Sequence, residues 1–407
     1  MENHLLTRQF SSNRPNILMI LVDDLGYGDL SSFGAKDLNT PNIDILMQSG
    51  IRFDNFYANC PVCSPTRASL MTGQYPDVVG VPGVIRTHPT NSFGYLSPNA
   101  VLLPALLKKN GYRTALIGKW HLGLESPNTP NERGFDYFHG FLGDMMDDYY
   151  QHLRHGINYM RLNRNIINPQ GHATELFSQW AINYLKNHIN RNEPFFLYLA
   201  YNAPHTPIQP PMEWINKIQK REKGLSQKRI KLVALIEHLD YFIGKVLAAL
   251  KNTGLEENTL VIFSSDNGGQ LNVGANNGEL SGGKQNMYEG GIKVPTGVVW
   301  KGKIVPGRRS KNIGLTMDIF PTICEVAGIN IIHKIDGTSF TGELFTNTAE
   351  TEEDRVLIWV RREGNQYGGR AYYAIRKGDW KLLQNSPFEP MRLFNLRDDP
   401  EENFLIY

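Results

Sequence analysis

Four continuous apolar runs, each ending in a charged or metal-capable group, constrain this chain more than any other feature. Asn16-Ile17-Leu18-Met19-Ile20-Leu21-Val22 shows no alternation of polar and apolar residues. Such a run suits a strand buried on both faces, as in a parallel sheet. Similar runs lie at 113–118, 194–200 and 259–264. Helical patterns separate them. The clearest spans 226–251, where Ile230, Val233, Ile236, Leu239, Ile243, Val246 and Leu250 recur at helical spacing and Gly254 follows as a stop signal. Strands alternating with helices predict an α/β fold with a mostly parallel central sheet flanked by helices.

The texture changes after about residue 340. Residues 343–354 are polar and acid-rich and read as a linker or surface loop. Short strand candidates follow at 355–360, 371–376, 380–384 and 392–396, with Lys377-Gly378-Asp379 as a hairpin turn. The predicted division is an N-terminal α/β domain over 14–340 and a small C-terminal antiparallel subdomain over 355–407. With 407 residues, 41% of them apolar and 20% charged, the chain can bury a large core. A net charge of +2 gives no reason to expect nucleic acid or a membrane surface as partner. No stretch approaches the roughly 18 apolar residues of a membrane span. Residues 1–14 lack the apolar core of a signal peptide, so the compartment is left open, as is an export segment trimmed or replaced. Three cysteines are too few for a disulfide scaffold. Cys60 and Cys63 mimic a Cys-x-x-Cys pair, but no second pair exists to complete a zinc site. Cys324 sits in an apolar helical context and reads as core.

In open α/β sheets, ligands bind beyond the carboxyl ends of the strands. The first run is followed by Asp23 and Asp24, the second by Lys119 and His121, the third by His205, and the fourth by Asp266 and Asn267. A Gly-rich loop carries Lys284. Taken singly, each has a plain structural explanation: Asp23-Asp24 as a turn or helix cap, Asp266-Asn267-Gly268 as a turn, His205 as a loop residue between prolines, Lys284 as a solvated lysine, Trp120 as core. Their joint placement is what argues for a site. Three carboxylates and an amide oxygen are hard ligands suited to Ca²⁺ or Mg²⁺. A cation, Arg67, Lys119, Lys284 and two histidines would together stabilise an anion with charge on several oxygens and supply a proton to a leaving alcohol.

Cys63-Ser64-Pro65-Thr66-Arg67 precedes Ala68-Ser69-Leu70-Met71-Thr72-Gly73. Proline favours the first turn of a helix, which predicts a helix starting near Pro65 with Cys63 at its N-terminus and Arg67 one turn further. A thiol in that field is expected to have a lowered pKa, but on local grounds the plainer reading wins, because a free cysteine is usually a small buried hydrophobe. The spelling closely resembles the activation motif of the type I sulfatases. Further matches are 16–29, Gly111-Tyr112-Arg113-Thr114-Ala115-Leu116-Ile117-Gly118-Lys119-Trp120-His121-Leu122-Gly123, Ser265-Asp266-Asn267-Gly268, Tyr288-Glu289-Gly290-Gly291-Ile292-Lys293-Val294-Pro295 and Ala374-Ile375-Arg376-Lys377-Gly378-Asp379-Trp380-Lys381-Leu382. They cover the chain from about residue 14 to 400.

The resemblance implies an alkaline-phosphatase-like sandwich and hydrolysis of sulfate monoesters, of a sulfated saccharide or an aryl sulfate. It implies that Cys63 is converted to formylglycine by a formylglycine-generating or anaerobic sulfatase-maturating enzyme. Asp23, Asp24, Asp266, Asn267 and residue 63 would bind Ca²⁺, with Mg²⁺ the lesser fit. Arg67 would stabilise the aldehyde hydrate, and Lys119 and Lys284 would grip the sulfate. His205 would protonate the leaving alcohol with help from Lys284, and His121 would assist release of sulfate. Departures from the pattern are Lys293 where arginine is usual and Ser281 before Gly282-Gly283-Lys284. Many relatives continue with a C-terminal helix, so the end at Tyr407 reads as short. Two other readings stay open: a phosphodiesterase or phosphonate monoester hydrolase of the same superfamily, whose members tend to show Asp-His at 266–267, and a non-catalytic carbohydrate-binding homologue with Cys63 unmodified. Loops at 80–95, 143–165 and 360–370 would face a sugar, with Arg86, His88, Asp147, His152, Arg361, Arg362 and Arg370 as candidate contacts, each of them at least as readily a solvated surface group.

Overall fold

All four apolar runs form strands. The computed structural model describes residues 14–88, 92–189, 191–346, 355–363 and 371–406. Most of the predicted linker (347–354) and Arg370 lie outside the described residues. Among the described residues the first twelve strands, in chain order, are β1 (Asn16–Asp23), β2 (Ile51–Tyr57), β3 (Arg113–Lys119), β4 (Tyr137–Phe141), β5 (Leu153–Arg154), β6 (Ile157–Asn158), β7 (Met160–Leu162), β8 (Asn165–Ile166), β9 (Phe195–Pro204), β10 (Thr259–Ser265), β11 (Thr296–Val299) and β12 (Arg308–Leu315). Ten of them make one sheet in the order β12-β2-β11-β10-β1-β9-β3-β4-β7-β8, and β5 pairs with β6 as a separate hairpin.

The five central strands β10, β1, β9, β3 and β4 are all parallel, and antiparallel neighbours finish both flanks. Every residue of β1, β9 and β10 is buried, which explains why those segments read as unbroken apolar runs. Because the strands are parallel, their carboxyl ends lie on one edge of the sheet. Gly118 makes one of these exits possible. Its φ of 107° lies in the region open to glycine, and a Cβ there would meet the Ala200 carbonyl oxygen of β9 at 1.9 Å. Only glycine lets β3 approach β9 this closely just before Lys119.

The long predicted helix spans Gln227–Asn252, is capped by the Ser226 side chain accepting from Arg229 N, and stops before Gly254 at φ 74°. The helix expected to begin near Pro65 instead spans Cys63–Thr72. Pro65 is third and not first, which costs nothing, because the opening N–H groups of a helix have no intrahelical partner. Cys324 is fully buried in the Ile319–Val326 helix.

The last four strands, β13 (Val356–Arg362), β14 (Ala371–Lys377), β15 (Trp380–Gln384) and β16 (Arg392–Asn395), form an antiparallel sheet in sequence order. Leu357, Trp359, Tyr372, Ala374, Leu383 and Phe394 pack on Tyr57, Met287, Ile292, Leu315 and Met317 of the larger part. A buried polar tie reinforces this contact. Lys381 Nζ lies 2.8 Å from both Glu289 Oε1 and Glu402 Oε1, and Tyr57 donates to Glu289 Oε2 at 2.7 Å. The ammonium is held between two carboxylates that have left water, so each group depends on the others. Burial and the nearby Glu289 push Glu402 up to about 7, although Lys381 pulls it down. Replacing Lys381 by methionine is expected to cost about 3–5 kcal/mol, because it strands two buried carboxylates. The midpoint of urea unfolding at neutral pH measures it, and an unchanged midpoint would show that the tie contributes nothing.

Candidate active site

Three carboxylates and Lys119 at the strand ends, Arg67 from a helix and Lys284 from a loop form one buried cluster. At the start of the Cys63–Thr72 helix, the Cys63 thiol donates to Asp23 Oδ1 at 3.3 Å. One turn on, Arg67 is fully buried and donates from Nε and Nη2 to Asp266 Oδ2 at 3.0 and 2.8 Å. Its Nη2 is also 3.5 Å from Asp23 Oδ2, and its Nη1 donates to the Lys119 carbonyl at 3.3 Å. The Lys119 ammonium, equally buried, pairs with Asp23 Oδ2. Lys284 Nζ donates to Asp24 Oδ2 at 2.7 Å. Asp24 adopts φ 68°, rare for a non-glycine residue. Its own N–H donates to Asp266 Oδ1 at 3.2 Å, and its Oδ1 accepts from Asn267 Nδ2 at 2.8 Å.

The two histidines are set up differently. His205 Nδ1 faces the Thr206 carbonyl at 2.7 Å and must carry a hydrogen. Its Nε2 is then a lone pair, and it lies 2.9 Å from Lys284 Nζ and 3.6 Å from Asp24 Oδ2. Burial holds the His205 pKa below its usual value. The exchangeable proton of this pair therefore rests on Lys284, whose pKa is raised because Asp24 and its neighbours outweigh the cost of burial. His121, at φ 61°, uses Nε2 to donate to the Ile85 carbonyl at 2.7 Å, leaving Nδ1 buried without a partner. Burial, Lys119 and Arg67 hold His121 well below the ordinary imidazole value. It is a neutral base.

One expectation is reversed. The Cys63 thiol is not activated: burial and the adjacent Asp23 push its pKa well above the usual value, and the helix end does not compensate. Asp23 itself is held low, since Lys119, His205 and Arg67 overcome burial, while burial and Asp23 push Asp266 up to about 7. Cys60 forms no pair with Cys63; its thiol points to the Val360 carbonyl at 3.5 Å.

The donor set fits a hard cation. Ligand atoms of Asp23, Asp24, Cys63 and His205 lie within 4.8 Å of one another. His205 is close, but its free nitrogen already faces an ammonium. The Asn267 Oδ1 is the better oxygen, being buried and without any partner. With the Asp23, Asp24 and Asp266 carboxylates it makes an all-oxygen set of the kind that hard divalent cations take. A dication would leave the cluster with a net positive charge, open to an anion.

The proposed sugar contacts divide. Arg361 is buried, pairs with Glu363, and donates to the Gln285 carbonyl at 2.8 Å, so it braces the Lys284 loop and is not available to a ligand. His152 is also buried, with Nε2 on the Gly171 carbonyl at 2.9 Å. Arg86 bonds Glu363 Oε2 at 2.8 Å with its side chain 14% exposed. Asp147 is exposed and pairs with Arg154, and His88 and Arg362 lie on the surface. Two contributors escaped the sequence reading. A backbone carbonyl such as that of Ile85 leaves no trace in sequence. Tyr149 lies within the 143–165 loop, but nothing in its neighbours points to His205.

Fold and strand-end site together define an alkaline-phosphatase-like α/β protein. The sulfatase family profile matches residues 15–329, and a profile described as N-sulphoglucosamine sulphohydrolase, C-terminal, matches 282–407. The chain belongs to the sulfatase family. It is 33% identical over 336 residues to rat (Rattus norvegicus) N-acetylgalactosamine-6-sulfatase, covering 77% of this chain and 62% of that protein. It thus spans about three fifths of the length of that relative. An uncharacterized sulfatase of Escherichia coli K12, YdeN, is 31% identical, with coverage of 96% and 82%. Among solved structures, Ps i-CgsB in complex with k-i-k-neocarrahexaose superposes with a TM-score of 0.88 at 33% identity, over 97% of this chain and 89% of that one.

Calcium added to chelator-treated protein is expected to raise the melting temperature, with about 2.7 kcal/mol of stabilisation at a hundred times its Kd. Asn267→Ala should shrink the shift, and Mg²⁺ should give less of it. Equal shifts in wild type and variant would remove Asn267 from the ligand set.

Proposed function

We propose that this protein hydrolyses sulfate monoesters of a sulfated saccharide, releasing sulfate and an alcohol. The observation that carries the reading is the position of Cys63, 3.3 Å from Asp23 inside a cluster whose three carboxylates are matched by Arg67, Lys119 and Lys284. A thiol with a raised pKa is a poor nucleophile, so the residue suits a precursor and not the working group. When present, formylglycine at position 63 supplies a hydrated aldehyde as nucleophile, and Ca²⁺ held by Asp23, Asp24, Asp266 and Asn267 supplies positive charge beside the sulfate.

The chain's own residues take the remaining roles. Lys119 and Lys284 present ammonium groups to the sulfate oxygens and replace their hydration. Arg67, fixed by Asp266, holds the residue 63 end of the helix in register. The Lys284–His205 pair holds the proton for the leaving alcohol oxygen: it rests on Lys284 Nζ, 2.9 Å from His205 Nε2, and passes to that oxygen as the S–O bond breaks. His121 offers a buried Nδ1 lone pair to take up a proton as sulfate departs. A saccharide substrate is supported by the relatives: one is named for N-acetylgalactosamine 6-sulfate, and another was solved with a neocarrahexaose. The implied partner is a formylglycine-generating or anaerobic sulfatase-maturating enzyme.

Mass spectrometry of the peptide containing residue 63, from protein made with such an enzyme, should show formylglycine. Cys63→Ala should abolish sulfate release without lowering the melting temperature. Undiminished turnover in that variant would sink the mechanism. Parallel assays should show an aryl sulfate hydrolysed far faster than the matching aryl phosphate, and the reverse order would favour a phosphoester hydrolase.

A further inference from the structure

Tyr149 joins the surface segment that follows Phe141 to the acid of the site. Its side chain is buried, and its hydroxyl donates to the His205 carbonyl oxygen at 2.8 Å. The ring is clamped: it stacks on His172 with centroids 4.9 Å apart and planes at 25°. The backbone is clamped as well. Gln209 Oε1 accepts from Tyr149 N at 2.8 Å, and Ala173 N donates to Tyr149 O at 2.9 Å. Gln209 also donates from Nε2 to Asp148 Oδ2 at 2.7 Å. Every polar atom of Tyr149 is therefore engaged, and its rigidity passes to the one peptide from which the His205 ring projects. The ring's own polar contacts are the Thr206 carbonyl and hydroxyl at Nδ1, at 2.7 and 3.2 Å, and Lys284 and Asp24 at Nε2, at 2.9 and 3.6 Å.

The same segment reaches solvent a few residues away. Arg154 bridges Asp144 and the more exposed Asp147, at 3.1 and 2.7 Å. A saccharide touching this outer side and the imidazole that meets its leaving oxygen would thus share one short piece of chain.

We propose that Tyr149 is the positioning residue for His205, fixing the imidazole for proton delivery and tying that delivery to the 144–154 segment. The inference rests on the sulfatase reading of the site. As the S–O bond breaks, the alcohol oxygen takes a proton from the Lys284–His205 pair. A sugar alkoxide cannot leave without that proton, whereas 4-nitrophenolate can. Loss of positioning should therefore be felt according to the leaving group.

Wild type and Tyr149→Phe are compared on a sulfated monosaccharide and on 4-nitrophenyl sulfate. The variant is expected to lose about tenfold in kcat on the sugar ester, with KM changed by less than about twofold, and to lose less than about twofold on the aryl ester. Gln209→Met, which frees the Tyr149 backbone while leaving its hydroxyl, should give the same pattern more weakly and serves if Tyr149→Phe folds poorly. Equal loss on both esters, or loss on neither, overturns the positioning role and leaves the sulfatase reading intact. No sulfate release by wild type from either ester overturns both.

Discussion

The structure depends on one buried charge balance. Asp23, Asp24 and Asp266 stand at the ends of the two central parallel strands, and Arg67, Lys119 and Lys284 reach them from three other segments. Charges about 4 Å apart attract by roughly 4 kcal/mol in surroundings of intermediate polarity, while stripping an ion of water without a partner costs several. Each of these side chains is tolerated because the others are present. The balance also tells the backbone what to do. Asp24 takes a left-handed conformation and its N–H donates to Asp266, and Gly118 takes a positive φ where β3 presses on β9, next to the buried Lys119. Folding and site assembly are then one event, since a misplaced strand leaves an unpaired ion in the core.

Lys284 is the member most in need of support, because it comes from a loop. Its own N–H donates to the Gly269 carbonyl at 3.0 Å, and the N–H of Gln285, at φ 82°, donates to Pro61 O at 2.9 Å. Arg361 reaches from β13 to the Gln285 carbonyl, and a few residues on, Glu289 is locked by Lys381 of β15. The small sheet therefore does more than extend the core. It fixes the far side of a loop whose near side carries an ammonium of the site, so substitutions in β13 or β15 should be read as changes to the site.

Much of this was legible in sequence because it rests on local pattern. Strands buried on both faces leave unbroken apolar runs, and the residue after each run marks the sheet edge where the site lies. The short C-terminal strands alternate and are bounded by turns, so they too could be read. The thiol was misjudged for a physical reason: the helix-end field acts locally, whereas Asp23, 40 positions away in sequence, and complete burial act only in the folded chain. Arg361 and His152 look like surface groups in sequence because nothing near them indicates the carbonyls that claim them. Tyr149 escaped because its partner is the His205 backbone, which follows β9 and lies 56 positions away in sequence.

The burial of Cys63, only 3% exposed, has a consequence in time. No second protein can work on a side chain sealed behind Asp23 and the Lys284 loop. Any conversion of Cys63 by an enzyme must take place while the chain is still open. Lys381, whose ammonium locks that loop, is synthesised roughly 300 residues after Cys63. At about 5–20 residues per second, translation leaves an interval of roughly 15–60 seconds before the closing strands exist. An enzyme that converts Cys63 would therefore race against folding, and a faster-folding variant would emerge with more of its thiol untouched.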